Sequence, residues 1–408
     1  MFVLFGRMKI KNKILVLTTT YPTFLAGDGT PPFVHELTKR LVSEDQEMIV
    51  LTPRRPGTKS VDYQDGVSIY RYAYFFSPTR ELLADGGILP NLKKNKRLYV
   101  QIPFLFFFCF GTVLWLISKY KIQVIHAHWI FINGFVWALI KKIRRNTQLI
   151  CTSHGSDLHT LGGWVIDALK KWTILQCDEV TVVSSFLQNQ LCLLMWDAYP
   201  THIISMGVDE DKFHPNYYNE RIKKRYAISW KFLLFVWRLA PEKWIPDLIN
   251  SMPQVLESYP DTVLLIIGDW PLAQELQELV YNNWLEKSIY FVWAISNKDL
   301  PPYYATADML IAPSTKESFW LVQVEALFSW TPVITYAWLW STDIVRDGVN
   351  GRLLTDQTQL SSAICDLCEH MISTREEIRS SVVEKFCWNT VAYHYALLLE
   401  SITSKYKT

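Results

Sequence analysis

Glycine is scarce in this sequence. Its 408 residues include 16 glycines and 17 tryptophans, whereas ordinary soluble proteins hold about 7% glycine. Tight turns and close approaches of backbone to ligand call for glycine, so the chain is short of a residue that its own loops require. Paired cysteines are missing too. The seven cysteines are scattered, and the single CxxC, Cys365 and Cys368, lies in a helical pattern with no second pair. That excludes a zinc ribbon and speaks against redox use. No Asp-x-Asp stands at a strand end, so the usual carboxylate pair for a divalent metal is not evident. The apolar start, Met1 to Arg7, is too short for a secretory signal and has no cleavage site, so a cytoplasmic compartment is expected.

Half of the residues are hydrophobic, which excludes a disordered chain. The length suits two to three domains, each with its own core. The net charge of +2 conceals an asymmetry: residues 1–210 carry 23 Lys/Arg and 16 Asp/Glu, residues 211–408 carry 18 and 23. A basic first half suits an anionic acceptor or a membrane surface, and it equally suits ordinary solvated charge. Nothing points to nucleic acid.

Apolar runs alternate with helical patterns throughout, the signature of parallel α/β sheets. Strands are predicted over Lys13–Thr20, Met48–Leu51, Val67–Tyr72, Val124–His128, from Ile150 to a terminus at His154, Cys177–Val183 and Thr201–Ser205. Further strands are predicted near 231–236, 262–267, 289–292, 308–312 and 332–335. A loop with Gly27, Asp28 and Gly29 separates the first strand from a helix over Phe33–Val42. The uncharged stretch from Leu98 to Ile117 is flanked by Lys93, Lys94, Lys96, Arg97, Lys119 and Lys121. It admits a buried helix, a helix dipping into a bilayer surface, or a span. The span is disfavoured because a strand follows at once.

The organising stretch runs from Pro313 to Glu325. It lies between the apolar runs Met309–Ala312 and Pro332–Thr335 and reads as a loop opening a helix. Glu317 and Glu325 are eight apart, so they fall on one side of that helix. A helix N-terminus beside a strand end favours an anion, and two carboxylates can bind hydroxyls. Together they suit a sugar joined to a diphosphate.

In order with Arg238-Leu-Ala-Pro-Glu-Lys243, Gly268-Asp269 and Asp347-Gly348, the Glu317-x7-Glu325 pattern resembles the donor site of family 4 retaining glycosyltransferases. The resemblance runs from about Lys13 to Ile402. It implies the α/β GT-B fold: two doubly wound Rossmann-like domains facing an interdomain cleft, with a C-terminal helix crossing back. Residues 1–208 would bind acceptor, 209–386 the nucleotide-sugar donor, and 387–408 would form the returning helix. By resemblance, Arg238 and Lys243 hold the diphosphate, helped by backbone N–H groups around Phe319, Trp320 and Leu321. Glu325 binds the ribose, while Glu317 and His154 contact the transferred sugar. Tyr21, Asp28, Gly29, His128 and Asp157 are candidates on the acceptor side. No metal or other cofactor is implied. The partners implied are a UDP- or GDP-type sugar and a glycan, lipid-linked or small-molecule acceptor, with peripheral contact at the cytoplasmic face of a membrane. A nucleotide-sugar epimerase and a non-catalytic sugar-nucleotide-binding scaffold are the alternatives.

The departures from the family run in one direction. Trp237, Trp244, Trp270, Trp284, Trp293, Trp320, Trp330 and Trp340 stand at family glycine positions, and Trp137, Trp196, Trp230 and Trp338 are further cases. Exchanging these twelve gives 28 glycines and 5 tryptophans, an ordinary glycine content. The pattern suggests one codon, UGA, that encodes glycine in the natural protein and is rendered here as tryptophan. Trp129 and Trp388 are expected to be true tryptophans. If all seventeen are real, the scaffold alternative is favoured.

Overall fold

The computed structural model describes residues 12–25, 28–43, 46–160, 162–237, 244–268, 273–293, 295–314, 321–338, 341–370 and 373–404. It divides into two compact units. The first comprises the chain to Val183, Leu187–Ser205 and the segment from Val391 onward; the second comprises Ser184–Phe186 and Met206–Thr390.

The first unit is built on an eight-stranded sheet. Its strands are β1 (Asn12–Leu17), β2 (Gln46–Pro53), β3 (Val61–Gln64), β4 (Val67–Tyr72), β5 (Val124–His128), β6 (Gln148–Ser153), β7 (Glu179–Val182) and β8 (His202–Ile203), in the spatial order β3-β4-β2-β1-β5-β6-β7-β8. All pairs are parallel except β3–β4. Ile14–Leu17 and Ile49–Leu51 are buried along their whole lengths, as expected of parallel strands covered on both faces. Edge strand β3 has no counterpart in the sequence prediction. Its Val-Asp-Tyr-Gln is largely exposed, so it offers no apolar run. Its signal is the turn that follows, where Asp65 and Gly66 have φ of 48° and 81°, the left-handed pair favoured in two-residue hairpins.

The second unit holds a six-stranded parallel sheet. Its strands are β9 (Phe232–Val236), β10 (Val263–Gly268), β11 (Ile289–Trp293), β12 (Met309–Ala312), β13 (Val333–Tyr336) and β14 (Gly351–Leu354), in the order β11-β10-β9-β12-β13-β14. Successive β9 residues enter opposite layers: Phe232, Leu234 and Val236 join one core, Leu233 and Phe235 the other. Short β14, after Asp347-Gly348, is likewise absent from the sequence prediction.

Each sheet has one place where the strand order reverses. In the first unit it falls between β1 and β5, in the second between β9 and β12. Ligands of doubly wound sheets bind beyond the strand ends at such switch points.

The uncharged stretch forms a helix over Gln101–Tyr120, entered by a 3-10 turn over Lys96–Val100. The last helix, Trp388–Ser404, begins in the second unit and continues in the first. Where it starts, the Trp388 ring lies directly against the backbone of Gly207, leaving no space for a side chain there. Cys365 and Cys368 sit in the Leu360–Glu369 helix as free thiols.

Candidate active site

Strand β5 and the end of β6 place three histidines together in the first unit. His126 and His128 are alternate residues of β5 and so share a face; His154 follows the end of β6. The Nδ1 of His128 lies 2.8 Å from His154 Nε2, and their rings stack 5.1 Å apart at 14°. His126 Nε2 pairs with Thr152 Oγ1 at 2.7 Å. Thr152 Oγ1 also meets Thr181 Oγ1 at 2.6 Å and the hydroxyl of Tyr395, on the last helix, at 3.3 Å. Tyr395 lies over His126 at 5.2 Å. The helix predicted over Phe33–Val42 spans Phe33–Leu41 and begins beside this group, with the Phe33 ring 4.9 Å from His154.

Burial keeps these imidazoles neutral. It pulls His126 and His154 down to about 3, and His128 well below the ordinary value. One proton therefore serves the His128–His154 contact. If His154 Nε2 donates, its Nδ1 is an acceptor; if His128 Nδ1 donates, His154 Nδ1 carries the proton. His154 Nδ1 is buried and has no partner among the described residues. Such a pair can match either end of a neutral hydroxyl and offers no charge to an anion.

Asp157 braces the same loops. Its carboxylate accepts from Ile130 N at 2.6 Å, Ser153 Oγ at 2.7 Å and Gly155 N at 3.2 Å. Ile130 opens a single π-helical turn, Ile130–Gly134, and Asp157 lies in a second, Ser156–Thr160. Such turns are frequent at functional sites. Burial raises the Asp157 carboxyl, and these donors partly offset the rise.

The three predicted residues near β1 have different surroundings. Asp28 accepts from Thr23 Oγ1 at 2.8 Å, Thr30 Oγ1 at 2.6 Å and Arg55 Nη1 at 3.3 Å, as well as from the Thr23 and Thr30 backbone. Burial pushes its carboxyl up, but the Thr30 and Thr23 donors outweigh that and bring it to about 2. Both oxygens thus shape their own loop. Tyr21 is buried, its hydroxyl held by His35 Nδ1 at 2.8 Å and Thr38 Oγ1 at 3.2 Å, and points into the helix. Gly29 is exposed, with open space where a side chain would project.

In the second unit Glu325 lies on the Leu321–Phe328 helix that follows β12, and it is buried. Its Oε2 accepts from the Tyr304 hydroxyl at 3.0 Å and its Oε1 from Asn297 Nδ2 at 3.4 Å. Lys212 in turn bonds the Asn297 side-chain oxygen. Burial raises the Glu325 carboxyl, opposed by Tyr304 and the Lys212 charge. Leu321, partly buried, packs on the adjoining core. Arg238, Lys243, Glu317, Phe319 and Trp320 lie outside the described residues. In the chain they follow β9 and β12, the two strands that flank the switch point.

Sequence reasoning weighed His126 as a packed, hydrogen-bonded residue and passed over Thr152, Thr181 and Tyr395. The period-two pair His126 and His128 was the available signal; Tyr395, more than 240 residues away from Thr152, had none. Among the described residues no group of His, Cys, Asp and Glu has the arrangement to hold a metal ion.

Comparison with known proteins gives this geometry its context. The profile of "Glycosyltransferase Family 4" matches residues 27–212, and that of "Glycosyl transferases group 1" matches residues 219–381. The chain is a glycosyltransferase of the GT-B fold. It is 23% identical over 374 residues to the GDP-mannose-dependent alpha-(1-6)-phosphatidylinositol monomannoside mannosyltransferase of Mycolicibacterium smegmatis, covering 87% of this chain and 88% of that protein. Sucrose-phosphate synthase from Thermosynechococcus elongatus superposes with a TM-score of 0.75 at 19% identity, over 97% and 100% of the two chains. Anabaena HepE, solved with UDP, superposes with a TM-score of 0.71 at 17% identity, over 96% and 100%.

Proposed function

We propose that this glycosyltransferase moves a sugar, with retention of configuration, from a UDP- or GDP-sugar to a glycan, lipid-linked or small-molecule acceptor. The setting would be cell-envelope or exopolysaccharide synthesis at the cytoplasmic face of a membrane. The observation that carries the donor assignment is Glu325. A carboxylate held on Tyr304 and Asn297, one helix beyond the β9/β12 switch point, suits a ribose diol. Arg238 and Lys243 follow β9 and would offset the charge that grows on the departing diphosphate, in place of a metal. Glu317 and His154 would hold the sugar. The bond from the anomeric carbon to the phosphate oxygen breaks, and the acceptor oxygen bonds the same carbon on the same face. The acceptor proton passes to the leaving phosphate, so no protein base is needed. Related proteins that name GDP-mannose or carry UDP support the donor class.

This reading includes glycine at the twelve suspect tryptophans. Four of the nine that are described have positive φ: Trp196 at 65°, Trp244 at 51°, Trp284 at 57° and Trp330 at 70°. Positive φ is uncommon for residues other than glycine and costs about 1–2 kcal/mol each. Trp129, expected to be a true tryptophan, also has a positive φ, 71°. Trp388, seated on Gly207, fits its place as tryptophan.

The test is nucleotide release from a panel of UDP- and GDP-sugars by the glycine form of the chain, with and without acceptor. One donor should turn over, slowly by hydrolysis without acceptor, and Glu317→Ala should cut transfer sharply with the fold intact. Interconversion of the donor sugar without nucleotide release would instead indicate an epimerase. Binding without turnover would indicate a scaffold.

A further inference from the structure

The Gln101–Tyr120 helix is apolar on both faces. Leu105, Cys109, Val113, Leu116 and Ile117 are buried on the sheet side. On the other side Phe104, Phe107, Phe108 and Trp115 face solvent, Phe107 at 72% exposure. Their three-, four- and seven-residue steps form one stripe. Gly111 interrupts it and leaves a shallow groove of about 230 Å³ between Phe107, Phe108 and Trp115. Phe76, 81% exposed, extends the stripe past the helix start, its ring 6.2 Å from Phe104. Scattered exposed apolar residues are ordinary; a continuous aromatic stripe of this length marks an interaction site.

Charge decides the partner. From Gly86 to Ser156 the sequence has ten Lys/Arg and no Asp/Glu. Lys93, Lys94, Lys96 and Arg97 are exposed just before the helix, and Lys119 and Lys121 at its end. The other four lie at the end of the neighbouring helix, Phe135–Ile143, or directly after it. There Arg144 reaches Ser118 at 3.3 Å, and Ile143 is exposed. A second copy of this face would bring like charges together. An anionic bilayer supplies both phosphate for the cations and an acyl boundary for the rings. The helix is long and apolar enough to span a membrane, yet its sheet side is already occupied, which leaves it the plane of the interface.

We propose that this face docks the first unit in the plane of an anionic lipid leaflet, with Phe104, Phe107, Phe108 and Trp115 at the acyl boundary and the flanking lysines on headgroup phosphates. The proposal deepens the reading of a membrane-side acceptor and rests on it for the choice of a lipid surface; binding is nonetheless measured without any transfer.

The full chain is co-sedimented with vesicles containing phosphatidylglycerol and with pure phosphatidylcholine vesicles. The anionic vesicles should bind at least about tenfold more strongly. A Phe107→Ser/Phe108→Ser variant should lose about tenfold or more of that binding. A Lys93→Gln/Lys94→Gln/Lys96→Gln variant should lose the preference for anionic lipid. All of these residues are exposed, so circular dichroism and melting should match the parent. Equal binding to both vesicles, or unchanged binding by the phenylalanine variant, overturns the proposal. So does a parent that ignores vesicles but forms a dimer that the phenylalanine variant dissociates. Donor hydrolysis is read in the same preparations. Hydrolysis without vesicle binding counts against docking alone, and vesicle binding without hydrolysis counts against the transfer reading alone.

Discussion

His128 Nδ1 and His154 Nε2 share a 2.8 Å contact from the ends of neighbouring strands, so a single proton sets the hydrogen-bonding sense of both rings. His126 lies behind them, its ring tilted by 31° and 4.3 Å from that of His128. The group is polar, neutral and enclosed.

That arrangement makes the fold acid-sensitive. The folded pKa values of these histidines lie below the unfolded value of about 6.5, with His126 and His154 near 3. Between those limits the unfolded chain binds more protons, so stability is full above about pH 6.5 and is lost as pH falls toward 3. Urea unfolding at pH 7.5, 6.5 and 5.5 should show a decline approaching ~1.4 kcal/mol per pH unit for each histidine. His126→Gln should lower stability at pH 7.5 and flatten the decline. A slope unchanged in that variant would count against the neutral cluster.

Glu325→Gln keeps the size, an acceptor oxygen for Asn297 and an amide N–H that the Tyr304 hydroxyl can accept, but removes the charge. If the carboxylate holds a ribose, kcat/KM for the donor should fall about 10- to 100-fold, the value of ~1.5–3 kcal/mol for hydrogen bonds to a charged group. Melting should change little. Burial raises the Glu325 carboxyl, so donor affinity in the parent should rise with pH through that raised pKa, and the glutamine variant should lose this dependence. A parent-like pH profile in the variant would remove Glu325 from donor binding.

Asp28 organises the loop after β1 rather than presenting a free carboxylate. Its folded pKa of about 2 is below the ordinary range, so its contribution is present above about pH 4 and lost as pH falls through 2. Asp28→Ala leaves the Thr23, Thr30 and Arg55 donors without their acceptor and should cost about 1–3 kcal/mol in urea unfolding at pH 7. A loss below ~0.5 kcal/mol would mean that the loop stands without it.

Replacing strained tryptophans should stabilise the tryptophan-bearing chain. Trp284 is 84% exposed at φ 57°, so Trp284→Gly gives up little packing and relieves about 1–2 kcal/mol. Trp196 is equally exposed, but Lys171 Nζ lies 3.7 Å over its ring, and that contact offsets about 0.5–1 kcal/mol of the gain. Trp244, which packs on Tyr336, should gain least. A lower melting temperature for Trp284→Gly would show that the left-handed backbone there is not a glycine site.

The sheets were readable because parallel strands buried on both faces are continuous apolar runs; Ile14–Leu17 and Leu233–Phe235 need no tertiary information. Strand β3 was not, since its exposed Val-Asp-Tyr-Gln is stabilised only by pairing with β4. Of the candidate site, the place of Glu325 on the helix behind an apolar strand was legible from its spacing, and that of His154 from the strand end it follows. What spacing could not convey was enclosure. Tyr21 and Asp28 stand in a loop that reads as open, yet Tyr21 is turned into its helix and Asp28 into its own loop. Tyr395 joins the histidines only because the last helix returns to the first unit.

The most direct test of the account concerns one peptide of the protein isolated from its own source. Trypsin cleavage after Lys316 and Arg346 releases Glu317–Arg346, which contains Glu325 and four suspect positions: 320, 330, 338 and 340. Tandem mass spectrometry reads each residue. Glycine is expected at all four, which would let the backbone of the proposed donor site approach a diphosphate closely. Tryptophan at position 320 would contradict it, because the proposed diphosphate contact requires the close backbone approach that glycine allows.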